Sequence, residues 1–118
     1  MEPQDERRKF VRLDRLVDIV YRKHQTLEKE KLTLSRNISI GGICLVVYEK
    51  LKESQLLELD LCIPEEKIPI KALGKVVWVH EYIIGNVSKD RRYDVGIEFI
   101  EISDEDVNKV NKYVFSHL

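Results

Sequence analysis

Apolar and polar residues alternate with period two through most of the stretch from residue 15 to residue 100, the signature of strands with one buried face. Val17, Ile19 and Tyr21 alternate with Asp18 and Arg22; Leu57, Leu59, Leu61 and Ile63 with Glu58, Asp60 and Cys62; Tyr93, Val95, Ile97 and Phe99 with Asp94, Gly96 and Glu98. Between Leu32 and Ser39 the apolar set is Leu32, Leu34 and Ile38, which puts Thr33, Ser35, Asn37 and Ser39 together on the opposite, polar side. Further strands are predicted from Ile43 to Tyr48 and from Ile70 to about Tyr82, the second carrying Gly74 as a bulge or bend.

Connections fall at Gln25 to Glu30, Lys50 to Ser54, Pro64 to Pro69 and Gly85 to Arg91, short and polar enough to join antiparallel neighbours. Six short strands with one oily face each would leave open edges as a flat sheet, and closure removes those edges. The predicted fold is therefore all-β, a small six-stranded antiparallel β-barrel over residues 15–118 that ends in a C-terminal α-helix. That helix is announced by a change of period. Ser103 is an N-cap with Asp106 placed to reach back to it, Ile102 can staple onto Val107, and Val107, Val110, Val114 and Leu118 form one stripe. The acidic first turn, Asp104-Glu105-Asp106, complements the helix dipole and is read as capping chemistry.

Composition narrows the class. The chain has 118 residues, 43% hydrophobic and 35% charged, with a net charge of -1, which suits one globular domain and gives no global pull toward nucleic acid or membrane. No apolar run is long enough to span a bilayer, and the acidic start is unlike a signal peptide, so a cytoplasmic location without membrane insertion is expected. Cys44 and Cys62 lack CxxC spacing and His24, His80 and His117 are scattered, so neither a bridge nor a metal site is predicted. Trp78, the single tryptophan, is read as core in preference to a base-stacking surface.

Charge is local rather than global. Residues 7 to 12 hold Arg7, Arg8, Lys9 and Arg12 without an acid, in a stretch with no apolar period, so residues 1–14 read as a flexible leader carrying a focused cationic motif. Guanidinium forks grip phosphate oxygens or guanine O6 and N7 in pairs and can stack on a base. By itself such a run is better read as a solvated basic leader that aids solubility, and the motif downstream reverses that preference. Downstream, Asn37 offers an amide, Ser39 a hydroxyl, and Gly41 and Gly42 a backbone geometry or clearance that a side chain would block; the same residues would also suit a tight turn.

The pattern Arg8-x-x-x-Arg12 followed by Asn37-x-Ser39-x-x-Gly42 resembles the signature of the PilZ domain, a bacterial receptor module for cyclic di-GMP. Gly74-Lys75-Val76-Val77-Trp78-Val79 and Tyr93 to Phe99 are similar to later strands of that family, so the resemblance covers nearly the whole chain. It implies the same barrel and a cyclic di-GMP site made by Arg7, Arg8, Arg12, Asn37, Ser39, Gly41 and Gly42, with the leader folding over the ligand. The family's first position takes Asp or Asn; Asn37 lacks the carboxylate that would pair ionically with an arginine. The implied function is a receptor without catalysis or cofactor, whose leader is ordered by ligand and whose output passes to a downstream protein partner, with a homodimer left open. The alternative is a module of the same fold that works by protein contact and takes no nucleotide. A DNA or RNA binder would want a broad basic face, and no catalytic grouping can be read. Arg91-Arg92 is a second basic pair that could reach the anion site.

Overall fold

The computed structural model describes residues 10–83 and 91–118, and within them the predicted barrel closes. Strands β1 (Asp18–Lys23), β2 (Lys31–Ile38), β3 (Gly42–Val47), β4 (Leu56–Cys62), β5 (Ile70–Ile83) and β6 (Arg91–Ile102) run antiparallel in the order β1-β2-β3-β6-β5-β4, with β4 returning to β1. The predicted connection from Gly85 to Arg91 lies outside the described residues except for Arg91, which opens β6. The interior is filled by the alternating apolar sets: Ile19, Leu45, Leu57, Leu61, Val76 and Val95 are fully enclosed.

Helix α1 (Asp104–Ser116) begins where the capping residues put it, Ser103 Oγ accepting from the Asp106 N–H at 3.1 Å. Val110, Tyr113 and Val114 join the core, while Leu118, predicted on the same stripe, lies beyond the helix and is exposed. His117 and Lys109 tie the helix to the β4–β5 loop through Glu65 (2.6 Å) and Glu66 (3.7 Å).

One face assignment reverses. Leu32 and Leu34, expected inside, are 74% and 40% exposed, and Ser35, expected on the polar side, is wholly buried. The cause lies in the chain just before β1. Leu13 and Ile38 exchange both backbone hydrogen bonds at 2.9 and 3.0 Å, Ser35 N–H donates to Val17 O at 2.9 Å, and Ser35 Oγ accepts from Val17 N–H at 3.2 Å. Residues 13 to 17 thus run along β2 with Leu13 and Val17 in the core, and a small hydroxyl inside the wall completes their hydrogen bonding.

Candidate functional site

Two β-bulges make the site. Pairing of β2 with β3 slips between Ser35 and Asn37, leaving Arg36 as the extra residue, and pairing of β5 with β6 slips between Val76 and Trp78. A bulge inserts one residue on one strand and so reverses the side taken by the residues after it. Ser35 and Val76 face the interior; Asn37 and Trp78, two positions further on, face outward. Trp78 is 39% exposed, so its expected core role is overturned.

The register then aligns a row across four adjacent strands: Asn37 opposite Cys44, Cys44 opposite Gly96, Gly96 opposite Trp78. Gly96 is needed there because a Cβ would overlap the Trp78 indole, which lies across it. Cys44 is enclosed within this row, and burial pushes its thiol up to about 11, so the floor carries a neutral S–H and no thiolate to repel an anion.

At the rim the chain turns from β2 to β3. Ser39 N–H donates to Gly42 O at 2.9 Å, and Ser39 Oγ accepts from the N–H groups of Gly41 and Gly42 at 3.2 and 3.3 Å. A side chain on Gly42 would run into the Ile97 carbonyl of β6, so the second glycine serves the barrel wall. Arg36, carried out by the bulge, reaches over β3 to Asp94 (2.8 Å) and to the Tyr82 hydroxyl (2.8 Å), and is held charged by both.

Of the residues singled out in the sequence, Arg12, Asn37, Ser39, Gly41 and Gly42 line one cavity of about 750 Å³, while Arg7 and Arg8 lie outside the described residues. That volume is in the range of about 300–1,000 Å³ common for small-molecule sites. Phe10, Cys44, Trp78, Gly96 and Glu98 share the lining and were not assigned to it from the sequence. For Trp78 the only advance signal was the broken alternation of its strand. Arg91 lies 3.2 Å from Glu81, and Arg92 sits 5.1 Å from the Tyr48 ring, so neither joins this lining. A cavity of about 830 Å³ lies over β1, β4 and β5, but its cations are already neutralised: Arg22 pairs with Glu58 and Glu30, Lys71 with Asp60. Size alone does not make it an anion site.

Comparison with known proteins agrees with the fold. The profile of the PilZ domain matches residues 6–116. No curated protein matches the sequence. Among solved structures, the Bacillus subtilis inhibitor of motility (MotI/DgrA) is similar at 26% identity and TM-score 0.72, over 98% of this chain and 56% of that one. Apo MrkH of K. pneumonia is similar at 19% identity and TM-score 0.75, over 99% of this chain and 51% of that one. The PilZ domain of YcgR from Escherichia coli, solved with c-di-GMP, is similar at 13% and 0.70, over 94% and 91%. The chain therefore spans about half the length of the first two, and the two likenesses under 25% identity speak for the fold.

Proposed function

We propose that this chain, a member of the PilZ domain family by the match over residues 6–116, is a cyclic di-GMP receptor whose arginine arm closes on the ligand and is read by a protein partner. PilZ domains are non-catalytic receptor modules, typically for cyclic di-GMP. The observation that carries the reading is the convergence of Arg12, Asn37 and Ser39 on one cavity with Trp78. A cyclic dinucleotide brings two phosphodiester charges and two planar guanines. Arg8 and Arg12 supply the forks for phosphate or guanine O6 and N7, and Asn37 supplies a two-way hydrogen-bonding edge. The half-exposed indole offers a stacking face. Glu98 adds what the arginines lack, an acceptor for the guanine N2 amino group. The partner distinguishes the closed arm from the open one, as linkage requires.

Titration calorimetry with cyclic di-GMP tests this. Replacing Arg8 or Arg12 by Ala removes a charged hydrogen bond worth about 1.5–3 kcal/mol, so the affinity should fall roughly ten- to a hundredfold. Trp78 is the one tryptophan, so its emission should report occupancy directly. Wild-type affinity in both variants would remove the assignment. The exposed Leu32 and Leu34 on the outer side of β2 favour a second reading, a protein-contact module that takes no nucleotide. Absence of any binding heat or thermal shift with cyclic di-GMP would select it.

A further inference from the structure

Gly41 and Gly42 stand side by side but are glycines for different reasons. Gly42 faces the backbone of β6, with the Ile97 carbonyl where a Cβ would go. At Gly41 the nearest neighbours are not backbone. The three heavy atoms nearest its missing Cβ all belong to the ring of Phe10, whose Cδ2–Cε2 edge abuts it, and its backbone has no left-handed φ that would demand glycine. The Gly41 carbonyl meanwhile accepts from the Phe99 N–H at 3.0 Å, which fixes the peptide against β6. Among the described residues, then, the side chain that uses the space above Gly41 comes from the arginine arm itself, between Arg8 and Arg12. Phe10 is 43% exposed, more than an ordinary core residue, yet its edge fills this slot at the rim of the cavity.

We infer that Gly41 is a socket for Phe10, and that this contact docks the arginine arm beside the cavity before any ligand arrives. The clearance at Gly41 is then occupied by the protein and is not an entrance for the ligand. Three residues further on, the exchanged Leu13–Ile38 hydrogen bonds hold the other end of the same segment. The Phe10 edge and the Leu13 bridge bracket Arg12. A receptor whose arm is already docked binds more tightly in proportion to the docked fraction, because the apparent dissociation constant is the intrinsic one divided by that fraction.

The effect on affinity rests on the cyclic di-GMP reading; the docking itself does not. In titrations of the full chain with cyclic di-GMP, Phe10→Ala and Gly41→Ala should each weaken binding about tenfold, the scale set by releasing a half-buried aromatic side chain. The double variant should bind no worse than either single one, since both remove the same contact. A further severalfold loss from Gly41→Ala in the Phe10→Ala background would overturn the inference, because Gly41 would then serve the ligand directly. Without ligand, the Gly41 Hα resonances should carry a ring-current shift that disappears in Phe10→Leu. Unchanged Gly41 resonances in that variant would also overturn it. If the wild type binds no cyclic di-GMP, the nucleotide reading fails, and the resonance comparison alone decides whether the socket exists.

Discussion

Taken one at a time, the polar members of the motif carry structural work along with any recognition. The Ser39 hydroxyl accepts two N–H groups from the turn it opens and itself donates to Gly42 O at 3.4 Å, so the turn engages its lone pairs and its proton alike. Ser39→Ala should therefore lower the stability of the ligand-free protein by about 1–2 kcal/mol, as two partly buried donors lose their acceptor. The denaturant midpoint of the apo protein measures this. A variant that unfolds like the wild type but binds weakly would assign Ser39 to the ligand alone. Loss on both counts would mean that the turn and the site share one oxygen. Either result bears on how affinity losses at this position are read, because a loosened turn displaces Gly41 and Gly42 as well.

Among the strands, the two bulges decide which side chains can meet a ligand. Ser35 is the last paired residue before the β2 bulge. It is buried, its oxygen accepts from Val17 N–H, and the same hydroxyl lies 3.3 Å from Arg15 O. Ser35→Ala leaves the Val17 N–H without a partner inside the barrel wall, so urea unfolding should show a loss of about 1–3 kcal/mol with an unchanged slope. An unaltered midpoint would show that the segment before β1 is held by Leu13 and Val17 packing instead. These positions also mark what alternation could reveal. The inward positions of β1, of β4 and of β6 as far as Phe99 follow period two, and these faces, the closed barrel and the capped helix were all legible. Alternation carries no phase across an inserted residue, so Leu32, Leu34, Ser35 and Trp78 were read on the wrong face. The motif spacing singled out Arg12, Asn37, Ser39, Gly41 and Gly42, which line one cavity, because it follows chain order, while Cys44, Gly96 and Glu98 join that lining only through cross-strand register.

Across the barrel, the motif and an ionic cluster around Glu49 occupy opposite ends of the first three strands. The motif closes β2 and opens β3; the cluster joins Tyr21 and Lys23 at the end of β1, Lys31 at the start of β2, and Glu49 just after β3. Burial disfavours the charged form of Glu49, but hydrogen bonds from Lys31, Tyr21 and Lys23 outweigh it and hold the carboxyl at about 2, below its usual 4.5. With its folded-state value depressed, the group binds fewer protons folded than unfolded. Its stabilisation is complete above the unfolded value and drains away as the pH falls from about 4.5 toward 2. The thermal midpoint of the wild type should thus drop between about pH 5 and about pH 2.5 by more than that of Glu49→Gln, which has no carboxylate to protonate. Equal drops would place the acid sensitivity elsewhere. At neutral pH the same substitution should lower stability while leaving the affinity for cyclic di-GMP unchanged, since six residues, roughly 20 Å of extended chain, separate Glu49 from the Gly42 rim. A parallel loss of affinity would show that the far end of the barrel reaches the site through β3, and that the receptor responds as one body.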